Sequence, residues 1–244
     1  MGVIVEDLPY ECEGARLRGV VAYDDTIAVP RPAVLIIHAA WGPGRYERER
    51  AVALAEMGFV ALVADLYGVD APELTTNDDA VAYAKQIMGL LDDGYVKRIQ
   101  AGLDTLRSHP LTDPARLAAM GYCMGGSAVL DLARRGADVA GVISFHGGLR
   151  KLPNLPVVTP IKPRILLLHG WDDPYAPAEH VAMIAEELTA AQADWQLHAY
   201  GNTGHAFANP YKDYGMAGVG HQPDAARRSW IALTEFLSEL FTAS

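Results

Sequence analysis

Cys123 lies in a short run of small residues that suits nucleophilic chemistry. Residues 121–126 read Gly-Tyr-Cys-Met-Gly-Gly, so glycines stand two positions before and two positions after the cysteine. In a G-x-S-x-G nucleophile elbow, such glycines let the chain turn sharply between a strand and a helix without Cβ collisions. The spacing predicts that Cys123 is a nucleophile at such a turn. Taken alone, the motif is equally compatible with a buried structural cysteine, because free cysteine is among the most buried residue types.

A candidate acid and a candidate base follow later in the chain. Residues 169–177 read His-Gly-Trp-Asp-Asp-Pro-Tyr-Ala-Pro after one apolar stretch, and His205 stands in Gly-His-Ala-Phe after another. The thiolate rather than the thiol attacks, a neighbouring imidazole can take the thiol proton, and a carboxylate fixes the imidazole tautomer. The order nucleophile, acid, histidine is that of α/β-hydrolases. The candidate acids are Asp172 and Asp173.

Strands and helices are predicted to alternate around these loops. Several apolar stretches are continuous runs, which are typical of strands covered on both faces. The predicted strands are Leu17–Ala22, Ala33–His38, Phe59–Ala64, Leu117–Tyr122, Val139–Phe145, Ile165–His169 and Trp195–Tyr200. The predicted helices are Tyr46–Met57, Asp78–Leu91, Tyr95–Ser108, Ser127–Arg135, Ala178–Ala190 and Asp224–Leu240. This alternation predicts an α/β fold with a mostly parallel central sheet, helices on both faces and ligands beyond the carboxyl ends of the strands.

Length and charge limit the classes of function. A chain of 244 residues is predicted to form one domain, residues 1–244. Its formal net charge of −10 argues against a nucleic-acid or anionic-membrane surface, both of which attract clustered Lys and Arg. We therefore expect a small-molecule ligand, no nucleic-acid or membrane partner, and a monomer or small homo-oligomer.

The two cysteines, Cys12 and Cys123, are far apart in sequence and show no metal-ligand spacing. The sequence thus predicts no disulfide framework and no metal, and the expected chemistry needs no cofactor. Residues 1–7 lack a signal-peptide pattern, and no run reaches the ~18 apolar residues of a membrane span. A reduced, cytoplasmic location is the expectation.

The three loops resemble the signature loops of the dienelactone hydrolase family of α/β-hydrolases. Residues 121–126, 169–177 and 204–207 carry the resemblance, and residues 41–42, 64–68 and 108–110 fit it too, so that it covers nearly the whole chain. The resemblance implies an esterase or lactonase (carboxymethylenebutenolidase-like) that forms a thioester acyl-enzyme.

The resemblance also implies the role of each site residue. Cys123 is the nucleophile, His205 the general base and then acid, and Asp173 the orienting carboxylate, because related loops carry the acid three residues after the glycine, here Gly170. The oxyanion hole would comprise two backbone N–H groups. Their residues are Ala40 and Met124.

Two positions depart from the family pattern. The dienelactone hydrolases that gave the family its name carry a glutamate just before the first oxyanion donor, where this chain has Ala39, so we expect Cys123 to pair with His205 in the resting enzyme. Those relatives bind a substrate carboxylate through arginines, one of them at the position of Asn209. Lys85 is the only basic residue between Arg50 and Lys97. The predicted substrate is an activated ester or lactone that need not be an anion.

Some roles stay open from sequence alone. His38 and His146 either contact the site or are structural. Four aromatic residues either line an apolar pocket or pack in the core: Trp41, Tyr67, Trp171 and Phe207. Positive charge near substrate could come from Lys85, Arg45 or Lys212. The alternative functions are a promiscuous phosphotriester hydrolase or an acyltransferase with the same triad, and, from another class, a redox-sensing or ligand-binding protein with a reactive cysteine.

Overall fold

A computed structural model describes residues 2–89, 94–152, 155–212 and 214–242. The chain divides into two compact units, Met1–Ala119 and Met120–Ser244, and each combines parallel strands with helices. The expectation of one domain over 1–244 stays a prediction.

The first unit contains five strands and three helices in its described residues. The strands are β1 (Val3–Cys12), β2 (Ala15–Asp24), β3 (Arg31–Ile37), β4 (Val60–Ala64) and β5 (Thr112–Tyr122), the last of which runs on into the second unit. The helices are α1 (Arg45–Glu56), α2 (Asn77–Met88) and α3 (Gly94–Arg107). The strand order is β1-β2-β4-β3-β5. Strands β3 and β4 pair in parallel, whereas β2 pairs antiparallel with both β1 and β4.

The second unit continues from the end of β5. Its further elements are α4 (Met124–Arg134), β6 (Gly141–Phe145), β7 (Arg164–Gly170), α5 (Ala178–Ala190), β8 (Trp195–Tyr200) and α6 (Pro223–Thr242). The strand order is β5-β6-β7-β8, and β7 pairs in parallel with both of its neighbours. Because parallel strands end at the same edge, the loops after β5, β6, β7 and β8 lie together at their carboxyl ends.

The predicted α/β fold with a mostly parallel sheet is confirmed. Each of the seven predicted strands and six predicted helices has a counterpart in the structure. The continuous apolar runs are covered on both faces: Val34–Ile37 and Val60–Ala64 have no exposed surface. Burial of such runs is the main favourable term in folding.

The structure differs from the sequence-based prediction in one missed strand and in the ends of several elements. Strand β1 was not predicted, because its side chains are only partly buried and it pairs with β2 alone. Helix α4 begins at Met124 instead of Ser127, since Met124 and the two glycines after it form its first turn. Helix α2 ends at Met88, with Gly89 after it. Residues 90 and 91 of the predicted helix lie outside the described residues.

Candidate active site

The backbone at Cys123 turns sharply between β5 and α4. Cys123 has φ 53° and ψ −114°, a conformation that costs a non-glycine residue free energy and recurs at functional sites. Its N–H donates to the Phe145 carbonyl at 3.0 Å. A Cβ on Gly121 would collide with the Gly125 carbonyl, and one on Gly126 would lie 2.9 Å from the Phe145 oxygen. The turn therefore needs small residues on both sides of the cysteine.

Three predicted residues form a hydrogen-bonded chain within the second unit. Cys123 Sγ lies 3.1 Å from His205 Nε2, and His205 Nδ1 lies 2.7 Å from Asp173 Oδ2. The exposed fractions of His205 and Asp173 are only 6% and 2%, whereas Cys123 is partly exposed. The imidazole thus spans the thiol and a buried carboxylate, while the sulfur stays open to solvent.

Asp173 rather than Asp172 contacts the histidine. The loop after β7 turns at Gly170, whose carbonyl accepts the Asp173 N–H at 3.1 Å. The Asp173 carboxylate accepts the Tyr175 N–H through Oδ1 at 2.8 Å, which leaves Oδ2 for the imidazole. The Asp172 side chain is exposed. The local turn therefore decides which of the two adjacent acids points inward.

The His205 loop is held by a later segment of the chain. The His205 N–H donates to the Gly218 carbonyl at 2.8 Å, and the His205 carbonyl accepts from Gly220 at 2.9 Å. A Cβ on Gly204 would collide with the Gly218 carbonyl. These contacts fix the backbone of the histidine from both sides. Residues 218–220 carry no sequence signal for this role.

The electrostatics of the site favour a protonated imidazole. Burial opposes the charged form, but the negative charge of Cys123 and the hydrogen bonds that the His205 ring donates to Asp173 and Cys123 outweigh it and raise the pKa of His205 to about 10. The raised pKa favours the charged form of the His205 ring that lies 3.1 Å from Cys123 Sγ. The arrangement can present an anionic nucleophile near neutral pH.

Tyr175 and Met216 form an exposed apolar surface beside His205. The Tyr175 ring lies 4.9 Å from the His205 ring, centroid to centroid, and its hydroxyl contacts Met216 Sδ at 3.7 Å. Burial, and then the charges of Cys123 and Asp173, raise the pKa of Tyr175. The sequence analysis did not select these residues. Tyr175 lies within the quoted acid loop, but Met216 has no comparable sequence signal.

Two of the candidate pocket residues in this unit have structural contacts. Phe207 is fully buried and packs against the rings of His146 and Tyr200, so it belongs to the core. Asn209 accepts the Tyr211 N–H through Oδ1 at 2.8 Å and so stabilises its own turn. Trp171, by contrast, is 48% exposed on the acid loop.

The buried histidines of this unit differ in their contacts. His146 Nδ1 accepts a hydrogen bond from the Cys123 N–H at 3.2 Å, so His146 contacts the site. His169 is 1% exposed, and neither of its ring nitrogens has a hydrogen-bond partner among the described residues. Burial lowers the pKa of His169. It therefore supports the end of β7 as a neutral side chain.

The oxyanion-loop candidates lie in the first unit, after β3. Ala39 and Ala40 are both buried, and the Tyr67 hydroxyl donates to the Ala40 carbonyl at 2.6 Å. His38 Nε2 accepts the Leu66 N–H at 3.2 Å, and its Nδ1 donates to the Ala39 carbonyl at 2.7 Å. His38 is thus a structural residue that orders this loop.

Trp41 and Tyr67 line a cavity of about 350 Å³ within the first unit. The charged candidates of this unit lie elsewhere. Lys85 is on the exposed face of α2, and Arg45 forms an exposed ion pair with Glu49 at 2.8 Å. Of the remaining candidates, Met124 is buried at the start of α4 and Lys212 is partly exposed.

The described residues contain no group of three or more His, Cys, Asp or Glu side chains suited to holding a metal ion. Within the same residues, no helix has both the length and the apolar character needed to cross a membrane.

The fold and the Cys-His-Asp contacts define the class as α/β-hydrolase. Residues 17–241 match the model of the dienelactone hydrolase family, and the chain belongs to that family. It is accordingly a hydrolase of the kind that acts on esters and lactones.

Three relatives illustrate the likeness. A solved dienelactone hydrolase-like promiscuous phosphotriesterase, P91 from metagenomic libraries, is 31% identical, with a TM-score of 0.88 and coverage of 99% of this chain and 100% of that one. A probable 2-oxo-3-(5-oxofuran-2-ylidene)propanoate lactonase of Bradyrhizobium sp. is 29% identical over 82% of this chain and 80% of its own length. The carboxymethylenebutenolidase of Pseudomonas putida is 27% identical over 73% and 76%, respectively.

Proposed function

We propose that this protein hydrolyses activated esters or lactones through a Cys123-His205-Asp173 triad and a thioester acyl-enzyme. The observation that carries the proposal is the continuous chain of hydrogen bonds from the thiol to the buried carboxylate, 3.1 Å and 2.7 Å long. A redox sensor or a ligand-binding protein needs no such relay, because neither must move a proton to a leaving group.

In this proposal the thiol proton already resides on His205 Nε2 in the resting enzyme, so acylation begins from the Cys123 thiolate. The thiolate attacks the substrate carbonyl carbon, a carbon–sulfur bond forms, and negative charge develops on the carbonyl oxygen. Met124 is the first residue of α4 and directly follows Cys123, and the family resemblance assigns its N–H to stabilising that oxyanion. Collapse of the intermediate breaks the carbon–oxygen bond, and the leaving group takes the proton from His205.

Deacylation uses the same residues, but His205 now acts as a base where it acted as an acid before. His205, now neutral, accepts a proton from water, and the resulting hydroxide attacks the thioester carbon. The carbon–sulfur bond breaks, the acid is released, and the sulfur leaves as thiolate beside the imidazolium. Asp173 keeps the proton of Nδ1 in place throughout. Water is the only co-reactant.

The nucleophile limits the leaving group. A thiolate departs more readily than an amine anion, so attack on an amide reverses unless the nitrogen is protonated. Enol, phenol and thiol leaving groups depart easily. Activated esters, lactones and thioesters are therefore the proposed substrates.

The substrate need not carry a carboxylate. Asn209 is committed to its own turn, and Lys85 is exposed on α2. Neither offers the planar bidentate donor with which an arginine binds a carboxylate. Beside the triad, the half-exposed surface includes Tyr175 and Met216, which suits an uncharged group.

Cysteine substitutions test this function directly. We expect the protein to hydrolyse p-nitrophenyl acetate, Cys123→Ala to abolish turnover, and Cys12→Ala to retain it, since Cys12 lies in β1 of the other unit. Mass spectrometry of rapidly quenched enzyme should detect an acetyl group on Cys123. Equal hydrolysis by the wild type and Cys123→Ala would reject the proposal.

Phosphotriester hydrolysis is a second candidate because the P91 relative is described as a promiscuous phosphotriesterase. A thiolate beside an imidazolium could displace an aryloxide from phosphorus as it does from carbon. Turnover of paraoxon that is lost in Cys123→Ala would support this activity. Stoichiometric release of a single p-nitrophenolate per enzyme, without turnover, would mean inhibition and would reject it.

A further inference from the structure

His146 is a buried residue with an unusual backbone beside the proposed triad. It directly follows β6, and its exposed fraction is 2%. Its φ of 39° lies in the left-handed region, which costs a non-glycine residue free energy unless its surroundings hold it there. Its N–H donates to the Leu168 carbonyl at 2.9 Å, so the neighbouring strand β7 holds this backbone.

The ring of His146 accepts a hydrogen bond from the nucleophile's own backbone. The Cys123 N–H points at His146 Nδ1 over 3.2 Å and at the Phe145 carbonyl over 3.0 Å, so the two acceptors share one donor. Because Nδ1 accepts, the proton of the neutral ring must be on Nε2. Nε2 is buried and has no hydrogen-bond partner among the described residues.

The same ring packs against the proposed general base. The His146 and His205 ring centroids are 5.2 Å apart in an edge-to-face contact. Phe207 contacts His146 at 5.1 Å, and Tyr122 lies at 6.0 Å. His146 thus touches the nucleophile through a hydrogen bond and the base through van der Waals contact.

We propose that His146 is a positioning residue: as the neutral Nε2–H tautomer, it holds the Cys123 backbone and the His205 ring at the separation that proton transfer requires. This inference rests on the proposed function, because it assigns His146 to the Cys123-His205 pair. A shift of either group lengthens the Sγ–Nε2 contact of 3.1 Å and weakens the thiolate–imidazolium pair.

A neutral ring is essential to this role. A proton on Nδ1 would remove the acceptor for Cys123, and a charged ring would repel the His205 imidazolium. Burial, and then the charge of His205, lower the pKa of His146 well below its ordinary value. The titratable side chains in contact with this ring are His205 and Tyr122, and Cys123 reaches it through its backbone. Of these two side chains, only His205 gains and loses a proton in the proposed reaction.

Two substitutions separate the hydrogen bond from simple packing. His146→Asn keeps an acceptor oxygen near the position of Nδ1, and asparagine tolerates the left-handed backbone. His146→Phe keeps a ring of similar size but has no acceptor. His169→Phe is the matched control, because it makes the same change at a buried histidine of the next strand without touching the Cys123 N–H.

The measurement is the rate of Cys123 alkylation by iodoacetamide as a function of pH, in variants shown by circular dichroism to be folded. We expect His146→Phe to move the inflection to higher pH and to lower the rate at neutral pH by about 10-fold or more, since small misplacements of reacting groups cost up to ~100-fold. His146→Asn should restore most of that loss. His169→Phe should leave the inflection unchanged even where it lowers the melting temperature.

The alkylation profiles of these variants can either support or overturn the role proposed for His146. Rescue by asparagine together with an upward shift in His146→Phe supports positioning through the acceptor. Equal inflections in the wild type and His146→Phe, or equal shifts in His146→Phe and His169→Phe, would overturn it. Alkylation requires no turnover, so an inactive wild type with p-nitrophenyl acetate would count against the proposed function and not against this test.

Discussion

The Tyr175 ring stands edge-on against the His205 imidazole, with centroids 4.9 Å apart and planes at 80°. The backbone N–H of the same tyrosine donates to Asp173 Oδ1 at 2.8 Å. Tyr175 therefore contacts two members of the proposed triad through different groups. Because 48% of its surface remains exposed, its ring is available to a substrate that approaches the thiol.

Removal of the Tyr175 ring should weaken binding of apolar acyl groups. Tyr175→Ala keeps the backbone N–H to Asp173 but loses an aromatic contact that is worth on the order of 1 kcal/mol, so we expect kcat/KM for p-nitrophenyl hexanoate to fall about 5-fold. The fall in kcat/KM for p-nitrophenyl acetate should be smaller. Tyr175→Phe is the matched control and should retain both activities; equal losses for hexanoate and acetate would contradict this role.

Asp173 should contribute far more to turnover than its neighbour Asp172. Asp173→Asn removes the carboxylate that holds His205 Nδ1–H, and loss of such an acid lowers kcat by ~10⁴ where it has been measured in serine enzymes. We expect a loss of at least about 100-fold here. Asp172→Asn is the control and should stay close to wild type, because Asp172 is exposed. Steady-state kinetics with p-nitrophenyl acetate would check both, and the reverse ranking would exclude Asp173 as the acid.

The pH dependence of thiol reactivity follows from the raised pKa of His205. A pKa of about 10 means that the imidazole binds the proton more tightly than ordinary histidine does, so the proton leaves Cys123 at a lower pH. The alkylation rate should therefore rise with an inflection below the ~8.5 of free cysteine. Asp173→Asn removes one cause of the raised pKa, and its inflection should move up toward that value. An inflection at or above ~8.5 in the wild type would rule out a resting ion pair.

A buried ion cluster should contribute strongly to stability. Arg134 is 1% exposed, and its guanidinium binds Asp131 at 2.8 Å, Glu187 at 2.6 Å and the Leu149 carbonyl at 2.8 Å. Arg134→Leu leaves the Asp131 carboxylate buried without this cation, and breaking a buried pair in this way costs about 3–5 kcal/mol.

Urea denaturation measures this cost. The control is Arg227→Ala, which breaks an exposed pair of 3.4 Å with Asp224 and should change the free energy of unfolding by about 1 kcal/mol or less. If the free energy of unfolding fell by similar amounts in the two variants, the Arg134 cluster would contribute no more to stability than an exposed ion pair.

Much of the fold could be predicted because its strongest signals are local. The runs at Val34–Ile37 and Val60–Ala64 are continuous and apolar, and their full burial agrees with that pattern. Strand β1 has a weaker pattern, since an edge strand with one partner needs no continuous apolar surface. The sequence therefore missed β1, whereas the other edge strand, β8 (Trp195–Tyr200), was predicted with the bounds that the structure has.

The candidate site could be predicted only in part. The resemblance named Cys123, Asp173 and His205, and the structure brings these three side chains into contact. The aromatic candidates differ in their burial, because Phe207 packs in the core whereas Trp171 is exposed. Burial of an aromatic side chain depends on which elements cover it, and this is a property of the packed chain.

The sequence by itself predicted the turn at Cys123, because glycines two positions before and two positions after a nucleophile are typical of a strand-to-helix elbow. It also determined the order of nucleophile, acid and base. Only the tertiary structure decided that His146 accepts from the Cys123 N–H and that Tyr175 covers His205. These contacts join loops that follow different strands, and their distances depend on strand register and packing rather than on any local pattern of residues.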